Sequence, residues 1–380
     1  MRSSFDYAEA EFEDSMEFFD EMEESDLEGE YGGESGEYEF EGPGEAAPAF
    51  DPKLFHPQLG FGTMVSEAEF EEEDQEEEII GKSDSRSPIK NTTKIPYRYI
   101  CRLAMTYQDP GFAGGAAVQF AGTGTLIGPK HILTAGHNVR NTFGGKVLTA
   151  KAVTASPGQD RSSKPFGTVK MSGFKCKNEW MNDQNPCFDY ALLELESSIS
   201  GKRFATIGNK PLGYWGDFLS GNNTRLEFID PEKLRKQKVQ VAGYPGDKCG
   251  YLPIQKFKRG DNCKYAPVAP LSKDLTACLN AGLHATAQFG DTGRMLDPLP
   301  PGGGAHLFLY DADTCKGHSG SPVWVQNSGM RYLIGVHTGP YSIAKGSCKD
   351  VVPVGATIDA NRAVRVTTNM LDNIHKWMGK

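Results

Sequence analysis

Short β-forming runs separated by turn residues dominate the chain from residue 97 onward, and this pattern most restricts its fold. Gly, Pro and Asn clusters bound the runs. Many short strands at turn-bounded spacing predict an all-β sandwich or barrel. No helical segments alternate with the runs, which argues against a parallel α/β sheet. The predicted strands are 117–127, 147–155, 237–242, 307–310, 322–325 and 332–336.

One helix is predicted, near the C-terminal end of the sequence. Residues 369–378 place four apolar side chains on one face at helical spacing. Thr367 or Thr368 can act as the N-cap. The apolar residues are Leu371, Ile374, Trp377 and Met378.

Charge divides the chain into two parts. Residues 1–78 contain 28 acidic and 2 basic residues, and the remainder carries a net positive charge. Dense like charge with scattered Phe and Tyr predicts a disordered segment. This segment is either a solubilising tail or a propeptide that binds electrostatically to the basic remainder, and we favour the propeptide. No signal peptide is recognisable at the N-terminus, and no apolar run has the length of a membrane span.

The sequence TCKGHSGSPVW, residues 314–324, has the composition of a nucleophile loop. Ser319 lies between Gly317 and Gly320. Glycines let the backbone turn sharply, so the amides of Gly317 and Ser319 can face one point and form an oxyanion hole. The alternative is a solvent-exposed turn, because Gly, Ser and Pro are also the usual turn residues.

Two upstream motifs favour the catalytic interpretation. His137 ends the apolar run LTAGH, and Asp189 precedes the apolar run of DYALLEL. The order His, Asp, Ser is that of chymotrypsin-like enzymes, whereas α/β-hydrolases have the order Ser, Asp, His. Asp183 is the alternative acid, but no apolar run follows it. We therefore predict a catalytic triad of His137, Asp189 and Ser319.

With these motifs the chain resembles the chymotrypsin-fold serine proteases, and within them the bacterial glutamyl endopeptidases. The resemblance covers residues 79–380 and rests also on IIGKSDSR, NTTKIPYRYI, PFGTVK, GYPGDK and GVHTG. It implies two six-stranded antiparallel β-barrels followed by the C-terminal helix. His137 and Asp189 would belong to the first barrel and Ser319 to the second. Residues 1–78 would form a separate acidic, propeptide-like segment.

The resemblance also implies a pocket for a glutamate side chain, with aspartate as the other acidic residue that the enzyme could accept. His337, within GVHTG, would face inward, and Thr314 matches a family position whose hydroxyl contacts the substrate. A buried carboxylate needs such hydrogen-bond donors. A one-residue register error would turn His337 outward. The alternatives are a protease of the same fold with broader specificity and a catalytically silent, protease-like binding domain.

The junction between the two parts is itself a candidate substrate. Glu76, Glu77 and Glu78 directly precede Ile79, where the resemblance begins. An enzyme that cuts after glutamate could therefore process its own zymogen, with scission after Glu77 or Glu78.

All eight cysteines follow residue 78, which predicts disulfide bonds and a secreted or exported protein. Cys176–Cys187 and Cys249–Cys263 are the expected local pairs, and buried free thiols are the alternative. The absence of CxxC pairs argues against structural zinc, and neither a metal nor another cofactor is expected. We expect a monomer that binds acidic peptide or protein substrates and its own acidic segment, but neither nucleic acid nor membrane. His318, at a position where glutamyl endopeptidases usually carry a small amide residue, is expected at the pocket rim or in solvent.

Overall fold

The structure is a computed structural model that describes residues 37–41, 79–80, 83–108, 117–143, 145–204, 208–217, 223–234, 237–254, 272–296, 306–341 and 360–380. In these ranges, a helix that could span a membrane is not found.

A closed barrel forms from the first half of the described chain. Six antiparallel strands follow the order β9, β10, β5, β4, β3, β8, and the β8–β9 pairing closes the ring. Closure removes the free strand edges that an open sheet would expose. The strands of this half are β1 (Glu37–Glu41), β2 (Ser87–Pro88), β3 (Ile100–Tyr107), β4 (Val118–Gly128), β5 (His131–Thr134), β6 (Arg140–Phe143), β7 (Lys146–Thr149), β8 (Ala152–Pro157), β9 (Val169–Lys177) and β10 (Ala191–Leu195).

A second closed barrel follows. Its six antiparallel strands have the order β20, β19, β14, β17, β18, β21, and the β20–β21 pairing closes it. The predicted two-barrel fold is therefore confirmed. The strands of this half are β11 (Arg203–Phe204), β12 (Lys210–Pro211), β13 (Thr224–Arg225), β14 (Lys238–Gly243), β15 (Lys248–Cys249), β16 (Leu252–Pro253), β17 (Phe289–Leu296), β18 (Leu307–Tyr310), β19 (Pro322–Asn327), β20 (Met330–Pro340) and β21 (Asn361–Arg365).

The predicted C-terminal helix is present and packs on the core. The Thr367 hydroxyl accepts a hydrogen bond from the Met370 amide and caps the helix. Leu371, Ile374 and Trp377 are buried as the helical spacing predicts. The helices are α1 (Asn178–Asp183), α2 (Pro231–Leu234), α3 (Lys273–Asn280) and α4 (Thr368–Trp377).

Alternate residues of β18 and β21 serve two different cores. Phe308 and Tyr310 pack within the core of the second barrel, as does Ala363. Leu309 and Val364 belong instead to the larger core that contains the first barrel. Successive side chains of a strand point to opposite faces. One face of these strands therefore packs inside the second barrel, and the other faces the first barrel.

A buried charge cluster fixes the chain just after residue 80 to the second barrel. Arg86 binds the carboxylates of both Asp84 and Asp247, and Nζ of Lys248 lies 2.7 Å from Asp84. Burial raises the pKa of Asp247, but Arg86 and Lys248 outweigh it and hold that pKa below its ordinary value. Asp247 directly follows Gly246, which contacts the Ser319 loop. The cluster therefore links the start of the protease-like region to that loop.

Both predicted local disulfide pairs are wrong. Cys249 is bonded to Cys278, because helix α3 packs beside the β15–β16 hairpin. Cys176 is a buried free thiol in the wall of the first barrel, and Cys187 is bonded elsewhere. Cys101 is also buried and free. Spacing along the sequence does not reveal these pairings, because the fold brings together cysteines that are distant along the chain.

Part of the acidic segment forms a strand that the sequence did not predict. β1 pairs in antiparallel register with residues 173–177 of β9, beyond the part that β8 covers, with Glu37 across from Lys177 and Glu39 across from Lys175. The rest of residues 1–78, predicted to be disordered, lies outside the described residues.

Candidate active site

His137 and Asp189 form a two-point contact in the first barrel. Strand β5 leads into a short 3-10 turn that carries His137. Nδ1 of His137 lies 2.8 Å from one carboxylate oxygen of Asp189, and the backbone amide of His137 donates to the other oxygen at 2.9 Å. Asp189 is fully buried, whereas Asp183 is exposed at the end of α1. When the imidazole proton is on Nδ1, the Asp189 carboxylate accepts a hydrogen bond from it and Nε2 carries the lone pair of the ring.

Trp180 packs beside this pair. A Cβ atom on Gly136 would lie 2.7 Å from the Trp180 ring, so a larger residue before His137 would displace that ring. The indole of Trp180 lies 6.3 Å from the His137 ring between centroids and donates a hydrogen bond to the carbonyl of Arg140. The tryptophan therefore supports the imidazole from the side of helix α1.

Two residues of the first barrel hold the backbone of Ser319. The Asn138 side-chain amide donates to the Ser319 carbonyl at 2.8 Å, and the Thr123 backbone amide donates to it at 3.0 Å. Asn138 directly follows His137 in the sequence. The structure therefore brings the loop that carries Ser319 against the turn that carries His137.

The loop before Ser319 orients two peptide groups. The Lys316 carbonyl accepts a hydrogen bond from the Gly246 amide at 2.5 Å, and the His318 carbonyl accepts one from the Ser321 amide at 2.7 Å. In a planar trans peptide the N–H points opposite to the carbonyl. The amides of Gly317 and Ser319 are therefore turned away from the loop's internal hydrogen bonds, as an oxyanion hole requires.

Two glycines make this loop conformation possible. Gly317 has φ of +98°, and a Cβ atom there would lie 2.4 Å from the Tyr244 carbonyl oxygen. Gly320 has φ of +87°, and its Cβ would lie 2.0 Å from the Thr123 carbonyl oxygen. Left-handed backbone and close approach together exclude other residues at both positions.

Both predicted pocket residues are buried, and His337 lies on the inner face of the second barrel beside Ala363. Thr314 and His337 are fully buried. Nδ1 of His337 lies 2.6 Å from the Tyr310 hydroxyl. His337 therefore faces inward, and the outward alternative is excluded. When the Tyr310 hydroxyl donates to Nδ1, the ring proton sits on Nε2, where it can be offered to an anion.

His318 differs from the prediction. The sequence places it at the pocket rim or in solvent, but the side chain is fully buried. Its ring folds back on the loop, and Nδ1 lies 3.1 Å from the Cys315 backbone nitrogen. The His318 amide also donates to the Cys315 carbonyl and closes a tight turn. The imidazole in contact with Asp189 is that of His137.

The start of the protease-like region lies next to Thr314. Ile79 is fully buried against Cys315, and the Ile80 amide donates to the Asp313 carboxylate at 2.7 Å. Glu77 and Glu78, the predicted scission sites, lie outside the described residues. Within the described residues, clusters of three or more metal-ligating side chains are not found.

Several contributing residues were not singled out by the sequence. Asn138 and Gly246 act through backbone contacts to the Ser319 loop, and Tyr310 orients His337. Asn138 directly follows the predicted base, and Gly246 lies in the motif GYPGDK. Both positions could therefore have been proposed from the sequence. Nothing in the sequence pairs Tyr310 with His337.

Comparison with known proteins agrees with the predicted resemblance. No family model matches the chain. It is 27% identical to a glutamyl endopeptidase of Bacillus licheniformis over 299 residues, which is 79% of this chain and 68% of the relative. It is 33% identical to an extracellular metalloprotease of Bacillus subtilis strain 168 over 174 residues, which is 46% of this chain and 47% of that protein.

Two solved structures are also similar. A Glu endopeptidase in complex with MPD has a TM-score of 0.49 and 22% identity, covering 80% of this chain and all of the other. The HL collagenase has a TM-score of 0.46 and 17% identity, covering 78% of this chain and 99% of the other.

Proposed function

We propose that this protein is a serine endopeptidase that cuts on the carboxyl side of glutamate, and that residues 1–78 make it a zymogen. The observation that carries the proposal is the buried Asp189 in double contact with His137, beside the loop of Ser319. The relationship to the Bacillus licheniformis glutamyl endopeptidase supports both the enzyme class and the substrate class.

Acyl transfer assigns a role to each of these groups. The Ser319 hydroxyl attacks the peptide carbonyl while Nε2 of His137 takes its proton, and His137 returns that proton to the leaving amine. His137 then takes a proton from a water molecule, which attacks the acyl-enzyme and releases the acyl group from Ser319. Asp189 stabilises the imidazolium, and the amides of Gly317 and Ser319 stabilise the oxyanion.

Glutamate selectivity follows from the donors near the pocket. His337 and Thr314 present a ring N–H and a hydroxyl in a water-poor site, where an unpaired carboxylate would be strongly destabilised. Glutamine has no charge and would leave these donors less well satisfied. Cleavage profiling of a denatured protein tests the proposal: cuts concentrated after Glu support it. Cuts without preference favour a broader protease, and no cuts favour a silent binding domain.

Replacing His337 with alanine is expected to lower the Glu-over-Gln selectivity by about 10- to 100-fold, since a hydrogen bond to a charged group is lost. The measurement is kcat/KM on two peptides that differ only at the residue before the cleaved bond. His375→Ala, on an exposed turn of α4, is the matched control. Unchanged selectivity in His337→Ala would remove His337 from the pocket.

Expression of the Ser319→Ala chain is expected to leave residues 1–78 attached, because self-processing needs the nucleophile. Adding a trace of active wild-type protein should then release the segment and expose a new amino terminus at Ile79, or at Glu78 if scission follows Glu77. N-terminal sequencing checks both results. Trimming of the Ser319→Ala chain alone at the same bond would show that another protease does the processing.

The disulfide between Cys249 and Cys278 favours a secreted or exported protein, since such bonds persist in oxidising compartments. The β1–β9 pairing favours the acidic segment as a partner of the protease-like region.

A further inference from the structure

Arg362 on β21 is a cation without a counterion among the described residues. Among the described residues, its buried Nε has no hydrogen-bond partner and its guanidinium has no ion pair, and the side chain as a whole is partly exposed. Burial lowers the pKa of Arg362, while the charge of Asp189 acts in the opposite direction. A partly buried guanidinium is stabilised by an anion at hydrogen-bond distance. An anion supplied from outside would therefore be stabilised here.

The side chain points away from the His337 pocket. His337 pairs with Ala363, and Ala363 packs in the core of the second barrel. Val364 packs in the core that contains the first barrel. Because side chains alternate along a strand, Arg362 shares the face of Val364. The guanidinium therefore lies on the side of β21 that faces the first barrel and feels the charge of Asp189.

The described residues leave open space across from Arg362. Its partner on β20 is Gly339, after an irregularity between His337 and Gly339. A Cβ atom on Gly339 would meet no atom of the described residues within 4 Å. A substrate side chain can occupy this space, two residues along β20 from the pocket histidine.

We propose that Arg362 forms a second anionic subsite that binds an acidic side chain at the second to fourth position before the cleaved bond. This inference rests on the proposed function and extends it. The leaving amine must lie at His137, which protonates it. The residues on the amino-terminal side of the cleaved bond are therefore the ones that lie along Gly339. The preferred substrates would then be peptides with a run of acidic residues before the cleaved bond, rather than peptides with a single glutamate.

The chain contains such a run at its own junction. Residues 71–78 read EEEDQEEE. Scission after Glu78 would place Glu77 and Glu76 at the second and third positions. Scission after Glu77 would place Glu76 and Asp74 at the second and fourth positions. In both cases an acidic side chain can reach Arg362 while another glutamate fills the His337 pocket.

The test compares two peptides with the same residue before the cleaved bond and with either Glu-Glu or Gln-Gln at the second and third positions. Wild-type protein should cleave the acidic peptide with about tenfold higher kcat/KM, mainly through a lower KM. Arg362→Gln should lower this ratio to about one, whatever its effect on kcat/KM for the Gln-Gln peptide. Arg362→Lys should keep part of it. Arg294→Gln, which removes an exposed charge, should leave it unchanged.

Added salt should reduce the ratio in the wild type, since part of the attraction is screened. An acidic preference that survives in Arg362→Gln would overturn the proposal, and so would an equal loss on both peptides, which indicates a structural role. Retention of the ratio in Arg362→Lys but not in Arg362→Gln supports it even if the glutamine variant is less stable. If wild-type protein shows no preference for glutamate before the cleaved bond but the Arg362 effect remains, the proposed glutamate pocket is wrong and the Arg362 subsite stands.

Discussion

Replacing His137 with alanine is expected to lower kcat by about 10⁶-fold, as removal of the base does in comparable triads. Among the described residues, His137 is the only one whose side-chain nitrogen contacts the buried carboxylate of Asp189. Without it, no group takes the proton of Ser319 or returns it to the leaving amine. Steady-state hydrolysis of a glutamyl peptide by purified His137→Ala protein measures the loss.

His375→Ala serves again as the control, because this histidine is exposed on α4. Thermal denaturation of His137→Ala should match the wild type, so that lost activity reflects lost chemistry. A fall of less than about tenfold would show that another group acts as the base, and the assignment of His137 would then be wrong.

The change Asp189→Asn is expected to lower kcat by about 10⁴-fold while preserving the overall structure. An asparagine amide can donate to Nδ1 of His137 and so stabilise the wrong tautomer, with the proton on Nε2. It can also no longer stabilise the imidazolium by charge. Rates above pH 8 should recover in part, where hydroxide assists proton removal, and a pH profile of kcat would show this.

Asp183→Asn is the matched control for that change. Asp183 is six residues away in sequence and exposed at the end of α1, so its loss should change kcat by less than twofold to threefold, within the usual effect of a surface substitution. Equal losses in the two variants, or a larger loss in Asp183→Asn, would contradict the role of Asp189.

Local sequence patterns predicted much of the fold and of the candidate site. Strand β18 has the predicted bounds of 307–310, and helix α4 begins one residue before the predicted 369. The two-barrel expectation came from a family resemblance, not from strand periodicity alone. His137 and Asp189 are in contact as proposed, because each stands at the end of a strand or turn whose apolar neighbours fix its depth.

Features that depend on contacts between distant parts of the chain were not predictable in this way. The Cys249–Cys278 bond requires helix α3 to reach the β15–β16 hairpin. The ring of His318 is buried and contacts the Cys315 backbone, which its sequence neighbours did not indicate. Arg362 is notable only once its strand face and its neighbour Gly339 are known. The register of a strand decides which barrel face each side chain lies on, and the sequence alone does not give that register.

Labelling with a phosphonate probe for active serines tests the central claim most directly, since it needs no knowledge of the substrate. Wild-type protein should acquire one adduct, and peptide mass spectrometry should place it on Ser319. Ser319→Ala should acquire none, and His137→Ala should react far more slowly. An unlabelled wild-type protein, or an adduct on another residue with Ser319 unmodified, would contradict the assignment of the nucleophile.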